Sequence, residues 1–258
     1  MISRGLDKLI QGLTAANNWW RGCFTESVVR FKSVIGAPHV IFPIEAIKLH
    51  KPDWLVAQIE KAKQHKKPVK FVRCPGMHDF IQEGYLIRAH TDIHIKANSA
   101  GVVVTTPHAS DNKLNPVPMD YEVVEGLPPI EGVKPVVMKI PLPYGIYTEP
   151  GHSVHLIPAL MHFPYLDKLF VYPGTVDYEE FHTANFIITP IRPCEIVIKA
   201  GTPILQALPF KRVSYHGMCG PATEAENNHH RYRFASRVMG FYRRRFHFKK
   251  VYTSEVQE

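Results

Sequence analysis

The chain has no long apolar run. No stretch approaches the roughly eighteen consecutive apolar residues that suggest a membrane-spanning helix. Met1-Ile2-Ser3-Arg4-Gly5-Leu6-Asp7-Lys8 has no apolar core of the kind an export signal carries. Cysteine is scarce: Cys23, Cys74, Cys194 and Cys219 are dispersed and form no Cys-x-x-Cys pair. That pattern speaks against a disulfide framework and for free thiols in a reducing compartment. Internal repeats and low-complexity tracts are absent too. Together these absences set the expectation of a cytoplasmic protein with no membrane span.

Proline is abundant, with 22 in 258 residues, and 45% apolar residues with 21% charged describe a globular chain. Proline punctuates turns and is excluded from helix interiors and central strands, so the middle of the chain is expected to be rich in strands and loops. Alternating or short apolar runs at 69–73, 85–88, 91–97, 102–104, 121–124, 136–140, 144–147, 154–157, 169–172, 184–188, 194–198 and 204–208 predict a series of short strands. Their regular spacing points to a sandwich or barrel, and the lack of βαβ alternation argues against a parallel α/β sheet.

Residues 1–67 read as a helical segment. Leu6, Leu9, Ile10 and Leu13 recur at helical spacing, and Pro52-Asp53 opens a second helix with Leu55, Ile59 and Ala62 on one face. An extended piece, His39-Val40-Ile41-Phe42-Pro43-Ile44, lies between the two helices. The expected organisation is therefore a helical segment at 1–67, a β domain at 68–215 and a basic, aromatic tail at 216–258 that forms a helix over 220–250.

The formal net charge of +8 belongs to that tail. Residues 227–252 carry eight cations and no acid, whereas residues 1–226 net only +2. Arg231, Arg233, Arg243, Arg244, Arg245, Lys249 and Lys250 alternate with Tyr232, Phe234, Phe241, Tyr242, Phe246 and Phe248. Cations neutralise phosphates and rings stack on bases, so nucleic acid is one expected partner. An amphipathic helix packed on its own domain, with Phe234, Val238, Phe241 and Tyr242 on one face, is the second reading of the same pattern. An arm docking on another subunit is the third.

Two pieces of the β region carry a family resemblance. Gly174-Thr175-Val176-Asp177-Tyr178 is followed by Ala184-Asn185-Phe186-Ile187-Ile188 and then by Gly201-Thr202-Pro203-Ile204-Leu205-Gln206-Ala207-Leu208. In that order they resemble the core of the dUTPase and dCTP deaminase (β-clip) superfamily, over about residues 140–212. The resemblance implies a dUTPase-like β-clip, barrel or sandwich fold. It implies a nucleotide pocket built from Gly174, Asp177, Tyr178, Phe181 and Gln206. Asp177 would orient the attacking water, with Gln206 as the other catalytic candidate, Glu179 or Glu180 as a second acid and Mg2+ as the metal. It also implies a homo-oligomer, as a trimer. The family's Arg-Ser phosphate turn is missing, however. The interval Ile157-Pro158-Ala159-Leu160-Met161-His162-Phe163-Pro164 holds neither residue, and only His162 and Lys168 stand in for the donors a triphosphate needs. The chain as a whole resembles a group of proteins carried by tailed phages of aquatic bacteria.

A second site reading starts from His90-Thr91-Asp92. On one strand His90 and Asp92 would share a face, and His152 would complete a two-His-one-carboxylate site for Fe2+ of the 2-oxoglutarate oxygenase type. His155, His162 or His182 are the other distal candidates, with Arg192 or Lys199 as co-substrate anchor. His152-Ser153-Val154-His155 and His229-His230 lack a second pair at zinc-site spacing.

Because the phosphate turn is missing, the leading functional expectation is a non-catalytic phage assembly or interaction protein in the host cytoplasm or virion. It would oligomerise and contact other viral proteins or nucleic acid through its basic tail. A dUTPase-like nucleotide hydrolase is the first alternative and the iron oxygenase the second.

Overall fold

The computed structural model describes residues 28–33, 42–66, 75–107, 115–119, 132–179, 182–228 and 251–254. The first expected helix, the strands expected at 69–73 and 121–124, Glu180, Phe181 and the basic stretch at 229–250 lie outside them.

The described chain is mainly antiparallel β, as expected. Its strands are β1 (Val29–Ser33), β2 (Glu45–Ala46), β3 (Tyr85–Arg88), β4 (Ile93–Asn98), β5 (Gly101–Thr105), β6 (Val117–Pro118), β7 (Met138–Thr148), β8 (His152–Pro158), β9 (Leu169–Val171), β10 (Gly174–Val176), β11 (His182–Pro190), β12 (Cys194–Ile198) and β13 (Pro203–Lys211). One sheet runs β1-β7-β11-β9 with β6 added to β7, a second β10-β8-β13-β3-β2 and a third β12-β4-β5. Each sheet ends in edge strands among the described residues, so the barrel alternative is corrected: no sheet closes on itself. All three sheets contribute to one core. Ile140, Phe186 and Ile188 come from the first, Leu86, Val154 and Ala207 from the second, and Ile93, Ile95 and Ile198 from the third.

Side-chain alternation explains most of these strands. In β4, Ile93, Ile95 and Ala97 are buried while His94, Lys96 and Asn98 are exposed. Asn98 then makes the following turn, its Oδ1 accepting the N–H groups of Ala100 and Gly101 at 2.9 and 3.2 Å. β7 merges two expected strands into one of eleven residues. Pro141 and Pro143 would each leave a gap in a regular ladder. They fall where the register with β11 shifts between Thr183 and Asn185, so the irregularity absorbs the missing donors.

Residues 28–33 and 42–66 are less helical than expected. β1 joins β7 and β2 joins β3, so this stretch supplies two edge strands. The second expected helix is present as α1 (Asp53–Gln64), with Leu55 buried and Ile59 and Ala62 half-buried on the same face. A short helix not anticipated from the sequence, α2 (Pro75–Phe80), leads into the turn before β3.

Two glycines there differ sharply. Gly84 has φ of +81°, and a Cβ on it would lie 2.2 Å from the Ala207 carbonyl oxygen. Gly76, in α2, has open space around its Cα. Gly84→Ala should cost roughly 2 kcal/mol or more from strain and collision with backbone. Gly76→Ala should be neutral or add about 0.5–1 kcal/mol. Urea unfolding of the two variants checks the contrast.

Candidate functional site

The expected Gly-Thr-Val-Asp-Tyr turn begins as a strand. β10 pairs with β8, setting Thr175 opposite His155 and Val176 opposite Val154. Val154 and Leu156 point into the core, so Ser153 and His155 lie on the other face. Ser153 therefore sits beneath the turn that follows β10, where its hydroxyl donates to Asp177 Oδ1 at 2.5 Å.

The second oxygen of Asp177 is also engaged. Arg212, the residue after β13, places Nη1 2.8 Å from Asp177 Oδ2 and bonds Glu179 through Nη2. Glu179 Oε1 accepts the Gly151 N–H at 2.7 Å, and the Arg212 N–H donates to the Gly151 carbonyl at 2.8 Å. One guanidinium thus ties together the Pro150-Gly151 turn, the Asp177–Glu179 turn and the end of β13. The Ser153 hydrogen bond, aided by Arg212, holds the Asp177 carboxyl below its ordinary value. A general base needs a lone pair aimed at the nucleophile and a pKa near the working pH. Asp177 has one partner on each oxygen and a depressed pKa.

Two of the other expected pocket residues, Tyr178 and Gln206, are turned to structural work. Tyr178 is 1% exposed, and burial pushes its phenol up to about 12, so its ring is core rather than a stacking surface. Gln206 is 2% exposed. Its Nε2 donates to the carbonyls of Phe80 at 3.2 Å and Glu83 at 2.7 Å, ending α2 and fixing the turn before β3. Along β13 Gln206 pairs with Ile157 and Phe210 with Ser153, which puts Gln206 about 13 Å from the Asp177 end of the sheet. Gly174 has open space at its Cα and Phe181 lies outside the described residues.

The interval without the phosphate turn is now explained. Ala159 is buried, its carbonyl accepting the N–H groups of His162 and Phe163 at 2.8 Å. Trp54 of α1 closes the loop from outside, its Nε1 donating to the Met161 carbonyl at 3.0 Å. Burial, helped by the charges of Arg88 and His50, pulls His162 down to about 4 against the opposing pull of Asp53. The imidazole is therefore neutral at pH 7. Lys168 lies over the Tyr165 ring, 5.9 Å from its centroid. Of the two stand-ins, His162 therefore offers a phosphate no charge at neutral pH.

The iron reading is not supported by the placement of its residues. His90 and Asp92 fall in the bend between β3 and β4, not on a shared strand. Asp92 accepts Lys199 Nζ at 2.8 Å and the Ala200 N–H at 2.9 Å, closing the turn after β12. Those bonds, Lys199 first, lower its pKa. His152 opens β8, with Nδ1 3.3 Å from the Pro150 carbonyl, and is not grouped with His90 and Asp92. Among the described residues no three His, Cys, Asp or Glu side chains form a group able to hold a metal ion. Cys194 and Cys219 are free thiols. No described helix is long and apolar enough to cross a membrane. Arg231, Arg233, Arg243, Arg244, Arg245, Lys249 and Lys250 lie outside the described residues.

Arg212 and Ser153 carry no motif, and sequence reading passed over both. Their signal is register. Once Ser153 is set opposite Phe210, the arginine two residues on stands beside the turn that Ser153 supports.

The fold is loosely similar to two mutant forms of the dUTPase of Staphylococcus bacteriophage 80alpha, one of them solved with dUpNHpp. Both reach a TM-score of 0.36, at 8% and 9% identity, covering 76% of this chain and 99% and 98% of those chains. A likeness at that level assigns no activity. No family model matches the chain, and no curated protein matches it in sequence.

Two outcomes are expected. Asp177→Asn should lower stability at neutral pH. A carboxylate depressed in the folded state stabilises above its ordinary value of 3.8 and loses that contribution as pH falls through the folded value. Melting temperatures of variant and wild type should therefore converge in acid. Gln206→Ala should cost about 2 kcal/mol or more in urea unfolding, because two carbonyls near α2 lose their donor.

Proposed function

We propose that this chain is a non-catalytic phage assembly or interaction protein built on a dUTPase-like β domain. It oligomerises and engages its partners through the basic, aromatic stretch at 231–250. The observation that carries this reading is the Arg212–Asp177–Ser153 cluster. The one residue whose motif suits water activation is engaged as part of a structural tie between turns. The neutral His162 supports the same reading, since triphosphate binding calls for charge-assisted donors. The phage assignment rests on the whole-chain resemblance, and the trimer on the β-clip resemblance. The charge and ring pattern of the basic stretch favours a polyanionic partner.

The test is a pyrophosphate-release assay with dUTP and dCTP in the presence of Mg2+. The expected result is no release above buffer from wild type. Mg2+-dependent release that Asp177→Asn abolishes would replace this reading with a nucleotide hydrolase. Light scattering after size exclusion gives the subunit number, and a strictly monomeric species would remove the oligomeric part.

A further inference from the structure

Most of the sheet edges among the described residues are blunted. β2, β6, β9 and β10 are only two or three residues long, and β6 contains Pro118. On β2 the Ala46 N–H is already engaged, donating to Ser254 Oγ at 3.2 Å. β1 carries Arg30 and Lys32, and β12 carries Glu195 with Pro193 just before it. Short length, charge and proline are the ordinary means by which a sheet edge avoids pairing with another chain.

β5 has none of these. It reads Gly-Val-Val-Val-Thr over five residues, with no charge and no proline. β4 pairs with one side of it, and the other side has no partner strand among the described residues. Val102 and Val104 stand opposite Ala97 and Ile95 and pack against the core. Val103 stands opposite Lys96 on the outer face and is 57% exposed.

A second β5 fits this edge. Antiparallel pairing about a two-fold axis through Val103 sets Val103 against its own counterpart, Val102 against the copy's Val104 and Gly101 against the copy's Thr105. Inner residues meet inner ones and outer meet outer, so the apolar rows on both faces continue across the axis. Charge does not oppose the pairing. The Lys96 side chains of the two copies would stand three strand spacings apart, about 14 Å. That exceeds the screening length of about 8 Å at physiological salt. Each Lys96 also has Glu195 beside it at 3.4 Å.

We infer that β5 is an interface with a second copy of this chain, joining two three-stranded sheets edge to edge. This rests on the oligomeric part of the functional reading above and names a contact for it. A two-fold contact produces even numbers of subunits: a dimer by itself, a hexamer where the copies are also trimers. The paired surface is small, so the assembly should dissociate on dilution.

The experiment measures molar mass by light scattering over a dilution series. Full-length wild type, Val103→Lys, Val103→Glu and an equimolar mixture of the two variants are compared. Position 103 faces outward, so either charge reaches water without entering the core. Like charges directly opposite on paired strands repel, and opposite charges attract. Wild type should hold an even number of subunits when concentrated and half that mass when dilute. Each variant alone should stay at the half mass throughout, and mixing the two should restore the full mass. A wild type that is monomeric at every concentration overturns the contact together with the oligomeric reading. Variants that keep the wild-type mass, or a wild type whose largest species is a trimer, overturn the β5 contact and leave the oligomeric reading standing. Loss of mass in both variants without recovery on mixing also overturns the contact, because damage rather than charge would then be the cause.

Discussion

The Arg212 guanidinium holds the candidate site in its present form. A planar fork with several donors can satisfy two carboxylates at once, which a lysine ammonium at the end of a flexible stem would do with less geometric definition. Asp177 and Glu179 stand on one turn, Gly151 on another, and Arg212 leaves the last strand of the second sheet. Two acids so close would repel each other without the cation between them. The cluster is partly solvated and screened, so its value lies in alignment more than in binding energy. It fixes where the chain leaves β13.

A carboxylate serves chemistry or structure according to its surroundings. A nucleotide hydrolase would need Asp177 turned toward a water, a phosphate site within reach and an open aromatic face. Here Ser153 and Arg212 occupy the carboxylate, Tyr178 is core, and the loop where donors are wanted is closed by Trp54 and holds an uncharged imidazole. Fold and activity are separable in this way because a β framework is kept by its buried alternating residues, while activity depends on a few exposed ones.

Much of the framework was legible in the sequence. Alternation located β3 and β12 to the residue and β4 and β8 to within two residues, and Pro52-Asp53 located the start of α1. Strands too short to show a period, β2 and β10, were missed, as was β1, whose partner is remote in sequence. Pro141 and Pro143 split β7 into two expected strands, because a local reading cannot know that a shifted register will accommodate them. The site was legible as residue types and not as contacts. Gln206 was singled out for its place in a motif, yet its role depends on α2, which lies far from it in sequence. Arg212 gained its partners only through the register of β8 and β13.

Strand order also bears on how the domain is assembled during synthesis. Val29 pairs with Thr148 and Glu45 with Leu86, so β1 and β2 are made well before the strands that receive them. The β4–β5 pair needs only a local turn and can close as it is made. β1 must wait through the production of most of the domain with its backbone donors and acceptors unpaired, the condition under which nascent strands find wrong partners. Its sequence, VRFKS, sets Arg30 and Lys32 beside its apolar residues. Flanking charges of this kind are what disfavours wrong pairing of an apolar strand.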